Sequence, residues 1–122
     1  MGQLGDGSDT DHTTPLPVSG GLVFGSVSAG RSHTCGVATN GAVHCWGNNF
    51  YGQVGDGTGS DLRLVPTVVA GGLTFASVSV SWFHTCGLTT GGVGYCWGSN
   101  EFGQLGDGTH TDRPTPVLVL GP

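Results

Sequence analysis

Apolar and polar positions alternate along much of this chain, and no stretch shows helical spacing over the length a helix needs. Leu22 to Ala29 (LVFGSVSA) and Leu73 to Val80 (LTFASVSV) run with a period of two; in the first, Val23, Gly25, Val27 and Ala29 alternate with Phe24, Ser26 and Ser28. The small residues suit a strand crowded near an axis where neighbouring sheets converge. Cys35 to Ala38 and Ala42 to Trp46 flank Thr39-Asn40-Gly41, and the same arrangement returns around Thr90-Gly91-Gly92, so each predicts a hairpin. Pro15 to Val18, Pro66 to Val69 and Pro116 to Leu120 are short runs led by proline, which fits the start of an edge strand. Three proline-led strands, two small-residue strands and two hairpins make nine strands. That is two four-stranded units with one strand, Pro116 to Leu120, left over.

The turns set the register. A three-residue loop with Gly41 in the left-handed region faces Ala38 with Ala42 and brings Cys35 opposite Cys45; the same count sets Cys86 opposite Cys96. A two-residue Asn-Gly turn would put the cysteines one position out of register. Two disulfides within the hairpins are the favoured reading of the four cysteines. Zinc held by His33, Cys35, His44 and Cys45 is the sharper alternative, weakened because Tyr95 replaces His44 in the second copy and CxxC spacing is absent. Reduced core thiols are the third reading.

The hairpin belongs to a longer repeat, HTCGVATNGAVHCWGNNFYGQVGDG from His33, returning as HTCGLTTGGVGYCWGSNEFGQLGDG from His84, with a third GQLGDG at Gly2. These units divide the chain into a partial repeat at 1–32, a full repeat at 33–83 and a partial repeat at 84–122. A four-stranded unit of about fifty residues predicts a propeller blade. Composition agrees, because 25 glycines and 36% hydrophobic residues leave little material for one ordinary core. The chain has three arginines against eight acids and no lysine, which argues against a nucleic-acid partner. No apolar run is long enough to span a bilayer, so no membrane partner is expected, and Met-Gly-Gln does not open a signal peptide. An extracytoplasmic or secreted location is expected from the cysteines alone.

Catalytic chemistry finds few candidates. His33 and His84 recur without a nucleophile or acid at repeating spacing and read as hydrogen-bonded structural residues. Trp46 and Trp97 read as packing anchors between sheets whose indole nitrogens need acceptors. The Asp6–Asp11 stretch DGSDTD superficially resembles a calcium loop but lacks its glycine and terminal glutamate, and its counterparts keep few acids, so a solvated turn is expected. The GQLG sequence lacks the lysine of a phosphate loop. No cofactor and no metal are expected.

HTCG, CWG, the asparagines Asn49 and Asn100, and GQLGDG resemble the regulator of chromosome condensation repeat family over essentially the whole chain. The resemblance implies an all-β fold of β-propeller blades, commonly seven to a ring, of which this chain would supply about a third. The cysteine pair looks like the variant of bacterial and secreted members. The family's eponymous member is a guanine nucleotide exchange factor for the small GTPase Ran and binds chromatin, but the projecting loops and basic segments behind those activities have no counterpart here. The resemblance carries structural roles to Gly52, Gly55 and Gly57 in turns and to His33 and Trp46 in packing, with the equivalents Gly103, Gly106, Gly108, His84 and Trp97.

The expected function is a non-catalytic module for protein–protein interaction or self-assembly. The alternatives are a piece of a larger secreted propeller that binds carbohydrate or protein, and nucleotide exchange, the weakest of the three. Two blades leave open sheet faces, to be covered by a longer parent chain or by copies packed head to tail into a ring or filament. Arg31, Ser32, Asn49, Phe50, Tyr51, Ser81, Trp82 and Phe83 are the candidates for a binding or assembly face.

Overall fold

The computed structural model describes residues 2–59 and 61–120. Strands β1 (Phe24–Ala29), β2 (His33–Ala38), β3 (Val43–Gly47) and β4 (Arg63–Val68) form one antiparallel sheet in that order. Strands β5 (Phe75–Val80), β6 (His84–Thr89), β7 (Gly94–Gly98) and β8 (Arg113–Leu118) form a second of identical order. The protein is thus all-β, two four-stranded blades side by side, and the sequence unit at 33–83 straddles both. Strands β1 and β5, the small-residue strands, lie against one another where the sheets meet.

Both hairpins form as the turn count predicts. Gly41 N donates to Ala38 O and Ala38 N to Ala42 O, each at 2.9 Å, with Gly41 at φ 86°. Cys35 faces Cys45 and Cys86 faces Cys96, and both pairs are disulfide-bonded. No cysteine is left for zinc or a free thiol.

The proline-led runs behave differently from expectation. Pro66, Pro114 and Pro116 lie inside edge strands that begin at Arg63 and Arg113, not at strand starts. Pro15–Val18 is not a strand at all. Strands β4 and β8 pair with the CWG strands β3 and β7, and no CWG segment precedes Pro15 in these 122 residues. Residues 116–118 belong to the fourth strand of blade 2, with Val117 opposite Cys96, so they are not surplus. The leftover piece lies at the other end of the sequence: residues 2–19 pack on blade 1, where Gly7 N donates to Leu64 O at 3.0 Å.

The core runs between the sheets. Val37, Val43, Val54, Val69, Phe75, Trp97 and the first disulfide form one buried cluster drawn from both blades. Phe24 and Phe75 lie across their own sheets because β2 and β6 offer glycine beneath the ring: a Cβ on Gly36 or Gly87 would come within 2.5 or 2.6 Å of the phenylalanine. Each ring also packs on its blade's tryptophan, Phe24 on Trp46 and Phe75 on Trp97. The glycine of HTCG is therefore a packing requirement.

Candidate interaction face

Antiparallel order sends the β1–β2 and β3–β4 connections to one end of the blades and the hairpin turns to the other. Behind the first end stands a polar scaffold. Asn49 and Asn100 are fully buried, and each Oδ1 accepts the backbone N–H five residues on, from Val54 at 3.0 Å and Leu105 at 3.1 Å. Their Nδ2 atoms donate to Thr58 and Thr109 across the loop. In the G-D-G turns, Asp6, Asp56 and Asp107 accept from the backbone N–H and hydroxyl of Ser8, Thr58 and Thr109. The second carboxylate oxygen takes a nitrogen-bearing side chain: the guanidinium Nε of Arg63 at 2.8 Å on Asp56 and of Arg113 at 2.9 Å on Asp107, and the imidazole Nε2 of His12 at 3.0 Å on Asp6.

These turns are stapled to the outer strands and are not simply solvated. The Thr109 hydroxyl, with Arg113 and Asn100, overcomes burial and holds the Asp107 carboxyl well below the usual range. For Asp56, burial pulls upward and the Thr58 and Arg63 bonds together pull further down. No group of three or more His, Cys, Asp or Glu side chains able to hold a metal ion occurs among the described residues.

Between the blades, His33 Nε2 meets Thr85 Oγ1 at 2.7 Å, and that hydroxyl donates to Gln53 O at 2.9 Å. The ring is completely buried, so burial first, and the neighbouring His84 second, lower its pKa to about 4. Trp46 Nε1 donates to Gln3 O at 2.7 Å, whereas Trp97 Nε1 has no partner among the described residues. Gly52, Gly55 and Gly57 have positive φ, as do Gly103, Gly106 and Gly108.

The candidate face residues divide. Trp82 is 61% exposed, and the Arg31 guanidinium lies 4.6 Å from its ring centroid, joining the two blades across the surface. Tyr51 packs on Phe83 at 5.1 Å in the same manner, and Phe50 and Ser81 are exposed. Ser32 and Asn49 do not belong to an open face. Ser32 is buried with its hydroxyl donating to Trp82 O, and Asn49 is spent within its loop on the N–H of the buried Val54. Phe102, 81% exposed at the position equivalent to Tyr51, is a face residue the sequence reading missed; alignment of the two repeats points to it. At the opposite end, a groove of about 620 Å³ between the β2–β3 turn and Thr74–Ala76 has no titratable side chain in its lining.

Two blades in tandem, each with a stapled G-Q-x-G-D-G loop, match a known repeat profile, described as the regulator of chromosome condensation (RCC1) repeat, over residues 40–88 and 92–122. A second profile of the same description matches 26–53 and 75–104. The chain belongs to this family. It is similar to the ultraviolet-B receptor UVR8 of Arabidopsis thaliana, at 39% identity over 99% of this chain and 28% of the receptor. It is also similar to the probable E3 ubiquitin-protein ligase HERC4 of Homo sapiens, at 36% identity over 76% of this chain and 9% of the ligase. The chain therefore spans less than a third of either relative. The solved structure of Prp20p from Saccharomyces cerevisiae superposes with a TM-score of 0.81 at 19% identity, over 98% of this chain and 32% of that one. The RCC1 repeats here are propeller blades.

Proposed function

We propose that this chain is a non-catalytic β-propeller module that recognises another protein through the face built on the β1–β2, β5–β6 and following loops. The observation that carries the reading is the gathering of Arg31, Phe50, Tyr51, Trp82 and Phe102 at one end of both blades, an exposed aromatic surface with one stacked cation. Prp20p, whose fold the chain shares, has binding properties towards Gsp1p and histones, which is protein recognition by a propeller of the same construction. A non-catalytic role is supported by where the ionisable groups are spent: His33, Asp56, Asp107, Arg63 and Arg113 are committed to turns and blade contacts. The two disulfides support an oxidising, extracellular setting. A photo-reactive residue at Phe102 tests the face: it should yield a protein adduct that excess unlabelled chain competes away, while the same residue at Val65, on the outer edge of blade 1, should not. Equal adducts from both positions, or an adduct with carbohydrate alone, would overturn the reading.

A second reading, head-to-tail joining of copies, is favoured by the interblade contact itself. His33 of blade 1 binds Thr85 of blade 2; the corresponding His84 of blade 2 has no threonine against it among the described residues, and Thr34 of blade 1 has no histidine. A second copy supplies each missing half, forming a ring or a filament according to the rotation between copies.

A further inference from the structure

We propose that residues 2–19 are an exchangeable cap, occupying on blade 1 the place that residues 103–120 of a second copy take when chains join head to tail. The inference rests on that second reading and adds what joining requires. Two of the three G-Q-x-G-D-G units hold a tryptophan. A Cβ on Gly5 would lie 2.7 Å from Trp46 Nε1, and one on Gly55 would lie 2.5 Å from Trp97 Nε1; both glycines are buried. The third, Gly106, is exposed, and the nearest atom to its missing side chain is Val119 Cγ1 of its own unit.

That third unit is nonetheless built like the others. Leu120 N donates to Gly106 O at 2.8 Å, as Ala70 N does to Gly55 O and Ser19 N to Gly5 O. It is a formed seat with no tryptophan on it among the described residues. The strands of a second copy present the right pair together, because Thr34 stands opposite Trp46 across β2 and β3, as Thr85 stands opposite Trp97 across β6 and β7. Docking Thr34 on His84 thus brings Trp46 onto Gly106.

Trp46, however, already carries Gly5, and at 2.7 Å its ring has no room for two units. Residues 2–19 must leave first. Of what they give up, residues 103–120 replace in kind the Gly7 N–H to Leu64 O and the Thr34 bond to Gln3 O, whereas the Trp46 Nε1 bond to Gln3 O is lost, as Trp97 Nε1 has no partner among the described residues. The corresponding bonds on blade 2 are Gly57 N to Pro114 O and Thr85 Oγ1 to Gln53 O. Exchange of equivalent segments is a low-cost route to association.

Sedimentation velocity on the full chain tests this with Gly5→Val, referenced to Gly21→Val. Both put a β-branched residue at positive φ, 69° and 64°, but nothing lies within 4 Å of Gly21. Gly5→Val should associate at a protein concentration about 10-fold or more below that needed by wild type or Gly21→Val, and Gly5→Val/Gly106→Val should lose this gain. If Gly5→Val associates no more readily than wild type while both assemble, the cap is wrong and head-to-tail joining stands. If none of the chains associates, both fall. Should Gly5→Val fail to fold, an excess of synthetic peptide spanning residues 102–120 on wild type gives the second readout: proteolysis within residues 8–14 should accelerate, and unchanged cleavage would overturn the cap.

Discussion

His33 is the most buried ionisable side chain of the interblade contact, and its pKa of about 4 lies below the ordinary 6.5. Between those values the unfolded chain binds a proton that the folded chain refuses, so stability contributed by the neutral ring is complete above pH 6.5 and is lost as pH falls towards 4. His44 and His84 are shifted the same way by burial and add to the loss. The melting temperature should fall over this window, and His33→Gln should flatten the fall; a wild-type chain equally stable at pH 4.5 and 7 would contradict the assignment. Trp97, fully buried against Phe75, should cost about 3–5 kcal/mol as Trp97→Ala, read by denaturant unfolding. The burial of Trp46 and Trp97 was legible because each stands in a repeated CWG. The Asp–Arg staples were not, because Asp56 and Arg63 are seven residues apart while Asp107 and Arg113 are six apart, and the one-residue difference hides the pair from a repeat search.

At the scale of the element, the hairpin was the most legible part of the sequence, because strand register and disulfide follow from one turn and a wrong turn would have separated the sulfurs. Each disulfide closes a short loop and should contribute about 2.5–3 kcal/mol in the chain-entropy picture. Replacing Cys35 and Cys45 together by alanine should lower stability by that order, and peptide mapping without reduction should return only the Cys35–Cys45 and Cys86–Cys96 links. The outer strands were less legible. A proline marks an edge strand, but only the neighbour with which the strand pairs decides whether it forms. Pro66 and Pro116 have a CWG strand beside them and Pro15 does not, so similar short sequences gave strands in two places and an irregular segment in the third. Ser32 and Asn49 were misplaced for a related reason: small and amide side chains in loops look exposed until the backbone groups they must satisfy are located.

At the scale of the whole molecule, repetition supplies the core. Neither blade buries its inner face alone, and the cluster from Val37 to Trp97 exists only between them. The residues that recur in both repeats go to this scaffold, whereas Arg31 and Trp82, which differ from their counterparts, reach the surface. With no counterpart of the projecting loops behind exchange in the family's eponymous member, the chain should not accelerate release of labelled nucleotide from Ran, and release at sub-stoichiometric protein would contradict the assignment. The central claim is this division between a repeated scaffold and a variable binding face, and Trp82→Ala separates them most directly. Measured in the chain carrying the photo-reactive residue at Phe102, Trp82→Ala should keep its melting temperature within about 4 °C, as a surface change does, and lose most of the competed protein adduct. A variant that retained the adduct in full, or lost it only by unfolding, would contradict the account.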